Sequence, residues 1–401
     1  MPEALTGGGD TPATPGGGRP PAKAGENPGP GVPDAPPRVV APLDSGAGTK
    51  PHPSETRALL VTALVLLAGV ALGAAGFFVE RGMSTWRPEV TRTASGWRVV
   101  QAHRASLGGM ALGGDDLVWG CGPSIVLMDL GSGRLKLLGP GPESRTTWDP
   151  SASQRYVVWF EAAATSAGEA SAWVYDSATR RRRLLATLGD VLSLPSASGS
   201  RAAWGTTTPG GGPGIVAVDI PTGEQTSVAT EYGVPVIAGD LVTWPTRAGP
   251  TGMPAAWALV DLAQKRRWSM VPAATLTNAR FLGYDLSGRT LVWGETDSAS
   301  GRGRVVAQNV DDAVASVVAE VIDGASLSSA PSIDGDLVVW AETLATPSGS
   351  RVMGRRLGGG PAFVVHDVDG HVLSVAVDGD TVAWLARRGE TTFIETTTVP
   401  R

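Results

Sequence analysis

The sequence is poor in the residues that usually carry chemistry. One cysteine, Cys121, in 401 residues leaves no intrachain disulfide and no thiolate metal cluster, and its place just after Trp119 and Gly120 reads as a small buried or loop residue. The four histidines, His52, His103, His366 and His371, fall in no catalytic or zinc spacing. Lysine is confined to Lys23, Lys50, Lys136 and Lys265, and a net charge of −5 supplies no basic field to gather polyanions, which argues against nucleic acid as a partner. No G-x-S-x-G elbow is present. The Gly-rich stretch 210–214 lacks the Lys and Ser/Thr of a phosphate loop and reads as a flexible turn.

Large apolar side chains are also scarce across residues 1–57, which are dominated by Gly and Pro. Such a segment cannot offset the entropy of ordering, and the expectation is a disordered, partly extended tail. The opposite holds immediately afterwards. Residues 58–79, Ala58 to Val79, form an uncharged apolar run of 22 residues. At about 1.5 Å per residue it matches the roughly 30 Å of a bilayer core, so a transmembrane helix is expected. The start of this run, 57 residues into the chain, is unlike a cleaved signal peptide. Lys50 and Arg57 precede it while Arg81, Arg87 and Arg92 follow, so the charge count leans towards an inward C-terminal side. The long Pro-rich tail is the harder part to export, and the reading here keeps the tail cytoplasmic and the rest extracytoplasmic. Residues 80–95 are expected as a linker.

What is abundant beyond residue 95 is a repeat. Two aliphatic or β-branched residues precede Trp seven times, at Trp119, Trp159, Trp204, Trp244, Trp293, Trp340 and Trp384, at intervals of 40 to 49 residues. Periods of this size mark propeller blades. Gly stands five residues before Trp in six repeats (Gly114, Gly199, Gly239, Gly288, Gly335, Gly379), with Gln154 in the second, as a tight hairpin needing positive φ would require. Each Trp is followed by a variable loop, a second apolar stretch and a further short strand. Four of the second stretches end in Asp129, Asp176, Asp219 and Asp261, where the carboxylate bonds its own turn. The expected fold is all-β: a seven-bladed β-propeller of four-stranded antiparallel blades over residues 96–401. The seventh repeat runs out after TTFIETTTV, one strand short, and the unassigned stretch Trp97–His103 has the chemistry to supply it and close the ring.

The repeats SIDGDLVVWAE and VDGDTVAWLAR resemble those of the TolB-like periplasmic propellers, and the resemblance extends over residues 96–401. It implies a propeller with a protein-bridging role. That family usually shows six blades and carries a helper domain; seven repeats and no helper domain are found here.

No catalytic, cofactor or metal residue is assigned. The densest set of potential ligands is His366, Asp367, Asp369 and His371, read as a polar turn between blades, with a divalent metal as the competing reading. Arg180–Arg183 and Lys265–Arg267 occupy the same outer hairpin of two blades and read as solvated edges, with anionic lipid or polymer as the competing partner. The functional expectation is a membrane-anchored, non-enzymatic binding or scaffold module for a protein or cell-envelope polymer. The alternative is a lyase or hydrolase using a central funnel in which Asp149, Glu161, Glu295 and Glu342 would meet.

Overall fold

The strand-and-turn chemistry of each repeat folds as expected, into seven antiparallel sheets, one per Trp. The computed structural model describes residues 88–400 except 102–106, 122–123, 140–143, 148, 164–169, 209, 247–252, 273–275, 277–278, 298, 313, 322–323 and 346–348. The tail at 1–57 and the apolar run at 58–79 lie outside the described residues, among which no helix is long and apolar enough to cross a membrane.

In blade 3, which typifies the rest, the strands are Ser196–Ser198, Arg201–Thr207, Pro213–Asp219 and Gln225–Ala229 from the axis outward. The repeat Trp always lies on the second strand, and all seven are at most 1 % exposed. Each anchors one apolar cluster between adjacent blades. Trp204 packs with Tyr156, Val158 and Phe160 of blade 2, and Trp119 with Ala383, Leu385 and Ile394 of blade 7. Double-sided burial explains why the second strands are almost wholly aliphatic instead of alternating.

Two strands precede blade 1. β1 (Glu89–Arg92) pairs antiparallel with β2 (Trp97–Gln101), and β2 pairs with the last strand, Thr391–Thr398, through Arg98↔Glu395 to Gln101↔Thr392. The ring is therefore closed by N-terminal chain, as the missing strand required. β1 adds a fifth strand to blade 7, so part of the segment expected as linker belongs to the sheet. The Trp97 indole donates to the Leu130 carbonyl (2.6 Å), tying this composite blade to blade 1.

The six turn glycines have φ of 55–60° and open two-residue loops, the II′ geometry that matches strand twist. Blade 2 uses a three-residue connection, 153–155, and dispenses with the glycine. In the outer hairpins the four expected Asp turns form: Asp129, Asp176, Asp219 and Asp261 each accept a backbone N–H two or three residues on. Four residues past each Asp the chain turns left-handed, at Gly133 (φ 68°) and Gly223 (φ 76°) but also at Arg180 (φ 55°) and Lys265 (φ 53°). A β-carbon is disfavoured there. Lys265→Gly is expected to stabilise the protein by about 1 kcal/mol, read as a higher denaturation midpoint at unchanged slope, whereas Gly223→Lys is expected to do the reverse.

Candidate functional site

The inner strands converge on an axial channel of about 970 Å³ whose wall is mostly Ser, Ala, Gly and Pro. Crowding at the axis selects small residues; a β-carbon at Gly113 would run into the Ser153 backbone. Four carboxylates, Asp149, Asp285, Asp334 and Asp378, line the channel, and no His, Lys or Arg does among the described residues.

Three of these carboxylates are latches between blades. Asp378 accepts the Gly114 N–H (2.6 Å) and Asp334 accepts the Gly379 N–H (2.7 Å). Ser287 and Ser198 hold the Gly335 and Gly239 N–H groups in the same way (2.9 and 3.0 Å). One layer deeper, Asp285 accepts from the Ile333 N–H (3.0 Å) and the Ser332 hydroxyl (2.8 Å). Burial pushes the Asp285 and Asp378 carboxyls above the usual range, and the backbone donors partly offset it. The polar residue just before the turn glycine is thus a structural device. Its signal was present in the sequence as Ser or Asp before Gly199, Gly288, Gly335 and Gly379.

At the end of the channel opposite these turns the wall changes character. Blades 2, 3 and 4 present Asp149, Leu194 and Val234 at one register, with Leu373 from blade 7. Leu194, Val234 and Leu373 are 42–47 % exposed. The result is an apolar rim around an anionic lumen.

The four acids of the alternative enzyme reading do not converge. Asp149 lines the channel, but Glu161, Glu295 and Glu342 stand two residues after a repeat Trp. A spacing of two on a strand keeps a side chain on the same face, so these point with the Trp into the seams between blades. Glu161 accepts the Trp159 indole N–H (2.8 Å) and binds Nη2 of Arg182 through both oxygens (2.8 and 2.9 Å). Glu342 accepts the Trp340 indole (2.8 Å). Glu295, only 1 % exposed, has its carboxyl pushed up to about 7 by burial, with Arg304 opposing. Its folded pKa lies above the ordinary 4.5, so the fold loses stability as pH rises from about 4.5 to about 7 and levels off beyond. Glu295→Gln is therefore expected to equal the parent near pH 4 and exceed it by on the order of 2–3 kcal/mol at pH 8 in urea titrations.

The basic hairpins are solvent-exposed edges as expected, with only Arg182 half-buried, but some of their side chains also make contacts within and across the seams. Arg182 reaches the carbonyls of Leu138 and Gly139 in blade 1 (3.1 and 2.9 Å) and lies 3.9 Å over Trp173. Arg183 donates to the Ile220 carbonyl of blade 3, and Arg267 binds Glu231 (2.6 Å) over Trp244. Side chains from an outer strand reach back across a seam, which strand periodicity alone does not reveal. The histidine-rich segment is not a free turn. His366, Asp367 and Asp369 lie on the outer strand Phe363–Asp369, and His371 opens blade 7. Asp367 pairs with Arg351 (2.9 Å), Asp369 with Arg388 (3.1 Å), and His366 stacks on Trp384 at 5.0 Å. Cys121 is half-buried at the end of its strand.

No family model matches the chain, and no curated protein matches it in sequence. Solved structures do. The β-propeller domain of the trilobed protease from Pyrococcus furiosus, described as having an open velcro topology, aligns at TM-score 0.53 and 11 % identity over 75 % of this chain and 97 % of its own. An oligogalacturonate lyase in complex with manganese aligns at 0.52 and 14 % over 79 % and 96 %. TolB from Acinetobacter baumannii aligns at 0.41 and 13 % over 78 % and 80 %. At such identities the likeness is one of fold alone.

Proposed function

We propose that the chain is a membrane-anchored, extracytoplasmic binding module whose channel mouth receives a protein or a cell-envelope polymer. The observation that carries this reading is the apolar rim of Leu194, Val234 and Leu373, which leaves contact area exposed around a lumen built for structure. The lumen's acids support binding over turnover, because three of the four are tied to backbone donors and none has a basic partner in the channel wall. Anchoring rests on the apolar run 58–79 in the bilayer, with the tail 1–57 on the cytoplasmic side. The anionic lumen and a net charge of −5 disfavour nucleic acid.

A photo-crosslinking residue at Leu194 or Val234 of the full chain in its native envelope tests the reading. Both positions are expected to capture the same partner, with Val271 and Val314, exposed elsewhere, capturing none of it. Equal capture at all four positions overturns it. So does turnover of an envelope polysaccharide or peptide that is lost in Asp149→Asn.

A further inference from the structure

The seam between blades 5 and 6 contains a cavity of about 480 Å³, well away from the channel. Comparing it with the seam between blades 1 and 2 gives it a chemistry. In blade 2 the third strand places Trp173 opposite Trp159 and Tyr175 opposite Val157, and Tyr175 pairs onward with Arg182 on the outer strand. Blade 6 keeps the same register, with Met353 opposite Trp340 and Arg355 opposite Val338. Its outer strand pairs Val364 with Met353 and Phe363 with Gly354, as blade 2 pairs Leu184 with Trp173 and Arg183 with Val174. The counterpart of Arg182 is then the next residue back from Phe363, which is Ala362.

Blade 6 has therefore kept the receptor and lost the occupant. Trp340 still holds one oxygen of Glu342 (2.8 Å), as Trp159 holds Glu161. The second oxygen of Glu342 accepts no hydrogen bond among the described residues. Ala362 and Met353, smaller than Arg182 and Trp173, leave the space open, and both line the cavity. The other charges around it are committed elsewhere: Glu320 to Arg304 (2.9 Å), Arg351 to Asp367 (2.9 Å) and Arg355 to the Val318 carbonyl. Blade 4 shows that the arrangement recurs, since Arg267, opposite Val260 and so in the register of Arg182, binds Glu231 beside Trp244.

We propose that this cavity is a binding site for a guanidinium group, the side chain of an arginine presented by another protein, which takes the place that Arg182 fills from within in blade 2. Glu342 supplies the carboxylate, in the way that Glu161 meets Nη2 of Arg182, and Met353 the apolar cover. The alkyl stem lies along Val318, Val321 and Leu344, which also line the cavity.

The test is calorimetric titration of the full chain with N-acetyl-arginine methylamide, with the norleucine analogue as the uncharged control. Saturable binding at one site is expected for the arginine probe only, weakened at least tenfold in Glu342→Gln. Ala362→Arg restores the internal occupant, and it is expected to abolish binding while raising the melting temperature. The proposal is overturned by no saturable binding to the parent, by equal affinity for the norleucine analogue, or by binding that survives in either variant. Should Ala362→Arg not fold, Glu342→Gln alone decides.

Discussion

Replacing Trp204 by alanine is expected to lower stability by about 3–5 kcal/mol, a loss of roughly 5–8 degrees in melting temperature for a domain of this size. The ring is fully buried and makes an edge-to-face contact with Phe160 at 5.6 Å and 80°, joining blade 2 to blade 3. Truncation removes the largest side chain of that seam, and the strands beside it are fixed by their own ladders, so the void cannot collapse. Trp268, half-buried on an outer strand with Arg266 at 4.8 Å, is the comparison: Trp268→Ala is expected to cost less than half as much. Similar losses for both, measured by thermal and urea unfolding, would remove the seam tryptophans from their place as the organising contacts.

A second large effect is expected at the closure of the ring. Deleting 81–94 removes β1 and leaves blade 7 with four strands, whereas deleting 81–104 also removes β2 and strips the edge of Thr391–Thr398. The longer deletion takes with it Val99, which is 2 % exposed and shares a cluster with Leu117, Trp119 and Ile394. We expect the shorter deletion to melt within a few degrees of the parent and the longer one to aggregate or melt far lower. Val99→Asp isolates the cause without shortening the chain, since an unpaired buried carboxylate costs several kcal/mol. Coincident melting of all three variants with the parent would mean that the ring holds without its closing strand.

The architecture was legible because it depends on local rules repeated seven times. Trp, turn glycine and Asp turn each recur at one register, and a single sequence then contains its own alignment. Closure was legible from a deficit, the missing fourth strand of the last repeat. The seams were not legible to the same degree. Glu161 and Glu342 looked like partners for one another across a funnel, yet a spacing of two from Trp sends each into its own seam. Arg182 and Arg183 looked like edge charges, yet each crosses a blade boundary, Arg182 to the Leu138 and Gly139 carbonyls and Arg183 to that of Ile220. Such contacts join residues whose proximity depends on how far one blade is rotated from the next, a quantity that no repeat encodes. The anionic lumen lay between these cases, since Asp334 and Asp378 stand directly before turn glycines but their donors belong to the following blade.

The pairing of β2 with Thr391–Thr398 also orders events in time. β2 leaves the ribosome before blade 1, and its partner strand emerges only after the six intervening blades have been made. Blades 1 to 6 can form hairpin by hairpin as they appear, but the seam around Trp119 must wait for Ala383, Leu385 and Ile394. Until then both ends of the unfinished ring expose unpaired strands, so the interval between blade 6 and the final strand is the period of greatest risk of aggregation. A message truncated anywhere before residue 391 would yield a ring that never closes, and losing that one closing strand would do more harm than losing any surface loop.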